Sequence, residues 1–241
     1  APTFVSVTYG AGGTTRDRTV GITGRIAKET QMVPVGHLTC VGATVSELEA
    51  VIDEYAAAGV HNVLALRGDP PGGPGDQWVA HEGGLNYAAE LVALATRSGV
   101  FSDGVAAFPD PHPASMSAQV DVEVLRAKQE AGAEFAITQF FFKSSAYFQL
   151  VDRARAGGVT IPIIPGIMPV TNLAQITRFA SLSGADFPAD IAAEFERVGD
   201  DYVRDLGIEM ASRLCRELLE GGAPGLHFYT LNRSTATRDI Y

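Results

Sequence analysis

The residues Phe135-Ala-Ile-Thr-Gln139 and Ile161-Pro-Ile-Ile164 decide the fold class of this chain. Both runs are too continuously apolar for a strand with one face in water, so they indicate strands that are covered on both faces. An amphipathic segment at about 145–157 separates them, and this order is typical of a parallel βαβ unit. Strands that are covered on both faces favour a barrel or a doubly wound sheet.

The same alternation of short β-rich runs and longer amphipathic segments extends along the whole chain. It predicts seven strands, at about 3–9, 34–39, 62–67, 104–108, 135–141, 161–167 and 225–230. It also predicts eight helices, at about 16–29, 45–58, 84–98, 115–132, 145–157, 172–182, 187–196 and 200–220. We therefore expect a single α/β domain that spans residues 1–241.

Seven strands are one fewer than a closed (β/α)8 barrel requires, and such a barrel typically has about 250 residues. The chain has 241 residues and opens almost directly on the predicted strand Phe4-Val-Ser-Val-Thr8. A barrel that lacks one strand would leave two unpaired edges, which folded proteins avoid. We expect a (β/α)8 TIM barrel whose first strand and helix lie upstream of residue 1.

The composition excludes several classes of protein. The formal net charge is −10, from 28 acidic and 18 basic residues without a basic run, which disfavours a nucleic-acid partner. Cys40 and Cys215 are the only cysteines, so a disulfide framework or a cysteine-based zinc site is disfavoured and a reducing cytoplasm is expected. No stretch approaches the roughly 18 apolar residues of a membrane helix, and the N-terminus lacks the features of a signal peptide.

Polar and aromatic residues follow the predicted strands at the point where each strand ends. Six strand ends carry such residues: Thr8-Tyr9-Gly10-Ala11-Gly12-Gly13, His37-Leu38-Thr39-Cys40, Arg67-Gly68-Asp69, Phe108-Pro109-Asp110-Pro111-His112, Thr138-Gln139-Phe140-Phe141 and His227-Phe228-Tyr229-Thr230-Leu231-Asn232-Arg233. In a βα barrel these ends meet at one rim, where the chemistry takes place. A single histidine at such a position is more often structural than catalytic, but six ends together favour a binding site.

The types of residue at this rim favour a bound cofactor over a protein nucleophile or a metal. The sequence contains no H-E-x-x-H motif, nucleophile elbow or Ser/His/Asp spacing, and Gly10-x-Gly12-Gly13 lacks the dinucleotide spacing and the P-loop lysine. Aromatic, Gln, Asp, Thr and Arg side chains suit a flat organic cofactor that carries the difficult chemistry. The Gly- and Pro-rich stretch from Asp69 to Gly84 is either a plain connector or a lid over the site.

Six strand-end motifs form a specific set along almost the whole chain: Phe4-Val-Ser-Val-Thr-Tyr-Gly10, His37-Leu-Thr-Cys40, Ala65-Leu-Arg-Gly-Asp69, Ala136-Ile-Thr-Gln-Phe-Phe-Phe142, Ile164-Pro-Gly-Ile167 and His227-Phe-Tyr-Thr-Leu-Asn232. Their order and spacing resemble the methylenetetrahydrofolate reductase family in its short bacterial form. The resemblance implies a (β/α)8 barrel with non-covalent FAD. It implies that NADH or NADPH reduces 5,10-methylenetetrahydrofolate to 5-methyltetrahydrofolate for methionine synthesis, and we also expect a homo-oligomer.

The resemblance assigns the site residues position by position. Residues that match positions around the flavin and its ribityl chain are Tyr9, Ala11, His37, Arg67, Gly68 and Asp69. Residues that match positions around the rest of FAD are Ala88, Phe108, His112, Ser115, Asp121 and Lys128. Residues that match the shared pocket for folate and nicotinamide are Thr8, Asp69, Gln139, Gln175, Phe179 and Arg233.

Asp69, Gln139 and Phe179 would carry the chemistry under this resemblance. The Gln139 amide can form paired hydrogen bonds with the pterin, and Phe179 can stack on a flat ring. Arg233 suits a carboxylate. Asp69 can stabilise positive charge that develops on the folate and can tune the flavin.

Two features depart from the family pattern. The family's Glu-Phe-Phe-Pro-Pro segment, whose Glu is the general acid that opens the folate ring, is absent and would belong upstream of Ala1. Val124 stands where the family often has a polar residue and Ala127 where it often has a basic one. The affinity for FAD pyrophosphate therefore depends on Lys128, together with Arg126.

Two other functions compete with the reductase. A reductase-like barrel could bind flavin or folate without catalysis, because the segment with the general acid is absent. An aldolase-like barrel that acts on sugar phosphates would need a Schiff-base lysine at a strand end, and no predicted strand end carries one.

Overall fold

The computed structural model describes residues 2–8, 16–70, 76–112, 114–232 and 235–241, without the side chains of residues 16 and 17. The strands are β1 (Phe4–Val7), β2 (Val33–Thr39), β3 (Asn62–Leu66), β4 (Ser102–Ala107), β5 (Phe135–Phe140), β6 (Ile163–Ile167) and β7 (His227–Phe228). The helices are α1 (Arg16–Glu29), α2 (Val45–Ala57), α3 (Ala88–Thr96), α4 (Ala118–Glu130), α5 (Ser144–Ala156), α6 (Leu173–Ser183), α7 (Ala189–Val198), α8 (Val203–Glu220) and α9 (Thr235–Ile240).

The strands follow one another in the sheet in chain order, from β1 to β7. The pairs β1–β2, β2–β3, β3–β4 and β6–β7 are parallel. Parallel strands in chain order with helices between them have the topology of a βα barrel. The predicted α/β fold with seven parallel strands is thus confirmed, whereas a further strand and helix upstream of residue 1 stay a prediction.

Capping residues explain why two helices begin later than predicted. The carboxylate of Glu90 accepts hydrogen bonds from the backbone N–H groups of Asn86, at 2.7 Å, and Tyr87, at 2.9 Å. These bonds fix the chain before α3, which was predicted to begin at about 84. The hydroxyl of Ser117 accepts from the N–H of Val120 at 3.3 Å before α4, which was predicted to begin at about 115. Side chains that accept hydrogen bonds from backbone N–H groups at the start of a helix stabilise that end and set where the helix begins.

The chain divides into two compact units, one formed by Ala1–Ala106 with Val124–Ala136 and one by Ala107–Glu123 with Ile137–Tyr241. That residues 1–241 form one domain stays a prediction. In the ranges that the structure describes, no helix is long and apolar enough to cross a membrane.

The first unit has a sheet with two different faces. Gly36 lies on the face toward α2, because a Cβ atom there would lie 2.6 Å from the ring of Tyr55. The hydroxyl of Tyr55 donates to the carbonyl oxygen of His37 at 2.8 Å. His37 is the next residue along β2, so its side chain lies on the opposite face. There it is paired with Leu64, which is paired with Gly104. The face that carries His37 is therefore the one that helix α2 does not cover.

The second unit has an apolar core, formed by Phe140, Val170, Ile176, Ala180, Ile191, Phe195 and Val203. Helix α8 approaches this core closely at Gly207, where a Cβ atom would lie 1.7 Å from the carbonyl oxygen of Val170. Only glycine fits at this contact. The close approach holds α8 against the segment that follows β6.

Candidate active site

The ends of β2 and β3 are held together in the first unit. The N–H of Cys40 donates to the carbonyl oxygen of Leu66, and the N–H of Val41 donates to the carbonyl oxygen of Arg67, both at 3.1 Å. The pairing of the two strands thus extends beyond their ends, into the predicted site. Arg67 and the two residues after it are half-buried.

Gly68 has the most constrained backbone position at this strand end. Its φ is +83°, in the left-handed region that favours glycine. A Cβ atom there would lie 2.6 Å from Cγ1 of Val41 and 3.2 Å from Cβ of Thr39. Both the backbone angle and the packing therefore require glycine, and they set the position of the following residue, Asp69.

Trp78 completes this region, although the sequence interpretation did not single it out. The guanidinium carbon of Arg67 lies 5.0 Å from the centre of the Trp78 ring, within the range of a cation–π contact. Part of the stretch between Asp69 and Gly84 therefore packs on the strand end. In the described part of the chain, Nε1 of Trp78 and Oγ1 of Thr39 are buried without a hydrogen-bond partner.

Other assigned residues of the first unit lie at different depths. Thr8 is exposed, and its carbonyl oxygen accepts from the hydroxyl of Thr19 at 3.3 Å. Ala88 is buried at the start of α3. Lys128 is also buried, and its Nζ donates at 2.8 Å to the carbonyl oxygen of Ala106, the residue before the last one of β4. The ammonium group assigned to the pyrophosphate thus lies near the end of β4.

Contacts connect four assigned residues of the second unit, in the segment after β4 and the first turn of α4. The rings of Phe108 and His112 contact edge to face, with centroids 4.6 Å apart. The carboxylate of Asp121 accepts from the N–H of His112 at 3.1 Å, and the N–H of Ser115 donates to the carbonyl oxygen of His112 at 2.7 Å. The N–H of Ala114 donates to Nδ1 of His112 at 3.0 Å. In the neutral imidazole the proton then lies on Nε2, which makes this nitrogen a donor.

Gln139 lies at the end of a strand whose backbone is fixed by its neighbours. The Thr138 hydroxyl accepts from the N–H of Gly166 at 2.8 Å, and the Thr138 carbonyl oxygen accepts from the hydroxyl of Tyr229 at 2.9 Å. The side-chain oxygen of Gln139 accepts from the N–H of Phe140 at 3.0 Å. Burial raises the pKa of the Tyr229 hydroxyl well above its ordinary value, so this hydroxyl stays a donor.

A groove of about 1020 Å³ lies in the second unit. Its walls are the segment after β6, helix α6, the start of α8, the segment after β7, and α9. Gln175 and Phe179 line it from α6, four residues apart and therefore on one helix face. Asn172 begins α6, since its side-chain oxygen accepts from the N–H of Gln175 at 2.8 Å. The structure thus places these two predicted residues in one cavity.

The groove also contains residues that the sequence interpretation did not assign. These are chiefly Arg178, Arg204, Tyr229 and Leu231. Leu231 has a φ of +48° and Asn232 a φ of +60°, which is uncommon for residues other than glycine. This turn of the chain ends β7 at Phe228, although the strand was predicted to reach about 230. A pair of left-handed residues carries no signal in the sequence, except that Asn tolerates this region.

Three predicted residues, Tyr9, Ala11 and Arg233, lie outside the described residues. In the described ranges, no group of three His, Cys, Asp or Glu side chains could hold a metal ion. Burial raises the pKa of the Cys40 thiol to about 12 and that of Cys215 to about 11. Neither thiol is therefore ionised enough to act as a nucleophile near neutral pH.

The chain as a whole matches one protein family. The family model of methylenetetrahydrofolate reductase matches residues 1–241. The chain belongs to the methylenetetrahydrofolate reductase family. The 5,10-methylenetetrahydrofolate reductase of Escherichia coli is 41% identical over 235 residues, which cover 97% of this chain and 77% of that relative. Methylenetetrahydrofolate reductase (NADH) 1 of Arabidopsis thaliana is 35% identical over 244 residues, which cover 96% of this chain and 41% of the plant protein. The resemblance that the strand-end motifs indicated is confirmed at the level of the family.

A solved structure supports the fold independently. An uncharacterized protein from Clostridium thermocellum, which binds two copies of 5-methyl-5,6,7,8-tetrahydrofolic acid, matches with a TM-score of 0.60. The match covers 88% of this chain and 72% of that chain, at 12% sequence identity. At this identity the likeness shows a shared fold.

Proposed function

We propose that this chain is a flavin-dependent reductase of 5,10-methylenetetrahydrofolate. The hydride would come from NADH or NADPH and pass through FAD, and the product would be 5-methyltetrahydrofolate, a methyl source for methionine synthesis. The observation that carries the proposal is the groove in which Gln175 and Phe179 lie on one face of α6. In a member of this family, an amide beside an aromatic ring suits a flat, polar-edged ring such as a pterin or a nicotinamide.

The residues present fit FAD. The chemistry that FAD supplies when bound is two-electron transfer between a nicotinamide and a folate. In the first unit, the partnerless buried atoms of Thr39 and Trp78 are available to a polar ligand. In the second unit, Nε2 of His112 is a donor suited to a phosphate oxygen. By the family resemblance, the residues that would hold FAD include His37, Arg67, Gly68, Asp69, Phe108, His112, Ser115, Asp121 and Lys128.

Asp69 would act electrostatically. It follows Gly68, whose left-handed φ and close approach to Val41 require glycine. Asp69 is half-buried, and a half-buried carboxylate interacts more strongly with a nearby charge than an exposed one does. Positive charge develops on the folate before it receives the hydride. A fixed carboxylate stabilises such charge without reorganisation.

Gln139, Gln175 and Phe179 would bind and orient the substrate. Phe179 is half-buried in the groove and offers its ring for stacking. Each glutamine amide carries both a donor and an acceptor, so it can match an amide edge of the ring. Because a folate and a nicotinamide both present such an edge, one pocket can receive them in turn.

The proposal is tested with the full polypeptide that carries residues 1–241. The protein is incubated with FAD and desalted, and its absorbance spectrum is recorded. We expect flavin bands near about 450 nm, loss of this absorbance with NADH or NADPH, and its return with 5,10-methylenetetrahydrofolate. A protein that stays colourless, or a reduced flavin that this folate does not reoxidise, would contradict the proposal.

A pair of variants on α6 connects that activity to the groove. Gln175→Ala removes a groove amide, whereas Thr177→Ala changes an exposed residue of the same helix outside the lining. We expect the folate KM to rise by about 5-fold or more in Gln175→Ala, since a polar edge of the ligand loses its partner. Thr177→Ala should leave the folate KM unchanged. Equal effects of the two substitutions would mean that the groove does not bind the folate.

A further inference from the structure

The groove differs in charge from the chain that forms it. The chain has 28 acidic and 18 basic residues, yet the described lining contains Arg178 and Arg204 and no Asp or Glu. The hydroxyl-bearing residues Thr171, Thr230 and Thr235 also line it. A cavity with arginines, hydroxyls and no carboxylate attracts an anionic ligand, even in an acidic protein.

The two arginines are in different electrostatic situations. Nη2 of Arg204 donates to the carboxylate of Asp239, and its Nη1 lies 3.8 Å from Oδ1 of Asp205. Its charge is therefore compensated within the protein. Arg178 is exposed, and among the residues that the structure describes it has neither an ion-pair partner nor a hydrogen-bond partner. Among the described lining residues, Arg178 thus carries the uncompensated positive charge.

The position of Arg178 relates it to the residues proposed to hold the ring. It is three residues after Gln175 on α6 and directly precedes Phe179. Three helical residues correspond to a rise of about 4.5 Å. Residues three apart are neighbours on a helix surface, so an anionic group of a ligand that is held at Gln175 can reach the Arg178 guanidinium.

We propose that Arg178 is a specificity residue that binds the anionic end of the ligand in the groove. This inference rests on the proposed function and adds a recognition element to it. The group recognised is a carboxylate or a phosphate, because the guanidinium fork pairs with either through two parallel hydrogen bonds. Two sources carry such groups: the glutamyl tail of a folate and the phosphates of NADH or NADPH.

The test measures binding by calorimetry, with the FAD-loaded protein, and does not depend on turnover. Arg178→Gln is compared with Arg213→Gln, which removes an equally exposed arginine from α8, outside the groove. The ligands are 5-methyltetrahydrofolate with one glutamate, the same folate with three glutamates, and the oxidised nucleotides NAD⁺ and NADP⁺. We expect Arg178→Gln to weaken binding by about 3- to 10-fold at low salt and less at high salt. Arg213→Gln should bind as the unchanged protein does.

The pattern of losses identifies the source of the anion. A loss for the folates, larger with three glutamates, assigns Arg178 to the tail, whereas a loss confined to the nucleotides assigns it to their phosphates. Arg178→Lys should restore part of the affinity, since it keeps the charge but not the fork. If the unchanged protein binds these ligands and Arg178→Gln binds them equally well, the inference is wrong and the proposed function stands. If the unchanged protein binds none of them, both the proposed function and the inference are wrong.

Discussion

Two strand ends of this molecule place a residue in the left-handed region for opposite reasons. Gly68 follows β3 with a φ of +83°, and a Cβ atom there would lie 2.6 Å from Val41. Leu231 follows β7 with a φ of +48°, although this region costs a residue other than glycine roughly 1–2 kcal/mol. Its side chain is 52% exposed and lines the groove. The first backbone serves close packing, whereas the second bears strain and presents a side chain to a cavity.

This difference teaches what each region can tolerate. The strand end of the first unit is fixed by neighbours on its own chain, so alterations there should act on folding or on the electrostatics of a rigid site. The groove of the second unit is wide, and several of its lining residues, such as Gln175 and Arg178, are exposed. Alterations of these residues should act on ligands and leave the fold intact. The five experiments below test this division.

Gly68→Ala should have the largest effect. We expect the free energy of unfolding to fall by about 3–5 kcal/mol, because the added methyl group clashes with Val41 and the left-handed φ becomes unfavourable. Gly59→Ala is the matched control, with a φ of +79° and nothing within 4 Å of the added Cβ. It should cost only about 1 kcal/mol. Urea unfolding measures both, and equal losses would mean that Val41 moves aside at no cost.

Each unit also contains a group that is removed from water and whose titration affects stability, Asp103 in the first and His227 in the second, and these two act in opposite directions. Asp103 of the first unit is 1% exposed and accepts from the hydroxyl of Thr96 at 3.0 Å. Burial raises its pKa from 3.8 to about 6, so the folded state holds a proton that the unfolded state releases. Stability from this group therefore falls as the pH rises from about 4 to about 6. Burial lowers the pKa of His227, in the second unit, from 6.5 to about 4, so its contribution rises over the same range.

Two substitutions should separate these contributions, each of which amounts to at most about 3 kcal/mol. In Asp103→Asn, the free energy of unfolding should rise with pH between about 4 and 6, since the opposing histidine remains. In His227→Gln, it should fall over the same range. The measurement is urea unfolding at several pH values. Parallel pH profiles in both variants would show that neither group titrates in this range.

Asp69→Asn should separate the two half-reactions of the proposed enzyme. Reduction of FAD by the nicotinamide should survive, whereas reoxidation of the reduced flavin by 5,10-methylenetetrahydrofolate should slow by about 100-fold, the effect of losing one electrostatic stabiliser. Stopped-flow absorbance follows each half separately. Asp76→Asn, at an exposed position further along the chain, should change neither rate. Equal slowing of both halves in Asp69→Asn would assign this carboxylate to flavin binding or folding.

Gln139→Ala should weaken the second unit's contact with the substrate and leave the fold intact. Polar edges of the ligand lose their partner, so folate binding or turnover should fall by an amount equivalent to about 1–3 kcal/mol, with FAD retained. Gln149→Ala, an exposed amide on α5, is the control. Steady-state kinetics and the flavin spectrum provide the two readouts. An unchanged KM and kcat would show that the end of β5 is only structural.

Leu231→Gly should have the smallest effect on stability. We expect the free energy of unfolding to stay the same or to rise by up to about 1 kcal/mol, because glycine relieves the left-handed strain. Folate affinity should fall modestly, as the groove loses a side chain. Leu231→Ala keeps the strain while it removes most of the side chain, so it should lose affinity without gaining stability. A clear loss of stability in Leu231→Gly would show that this turn serves packing, as Gly68 does.

The sequence predicted the parts of this molecule that depend on local patterns. The periodicity predicted all seven strands and eight helices, and the resemblance grouped Phe108, His112 and Asp121, which the structure brings into contact. Periodicity could not place the ring of Trp78 on Arg67, because that contact depends on how an irregular loop returns to the strand. The short helix α9 was also missed.

Burial and charge compensation were equally beyond the sequence. The position of Asp103 in a predicted strand does not show that its carboxyl group is buried. The sequence does not show which of Arg178 and Arg204 has its charge compensated. Only the structure distinguishes them, through the ion pairs of Arg204 with Asp239 and Asp205. The roles that the resemblance assigned to Tyr9, Ala11 and Arg233 stay predictions.

The hydrogen bond between Thr138 and Tyr229 has a consequence for how the protein matures. Its two residues are 91 positions apart in the chain. At a synthesis rate of about 5–20 residues per second, Thr138 leaves the ribosome roughly 5–20 seconds before its partner. Until Tyr229 arrives, the backbone beside Gln139 lacks one of the bonds that fix it, and closing so long a loop carries an entropic cost. The end of β5 is therefore expected to acquire its final geometry late, when the last strand docks.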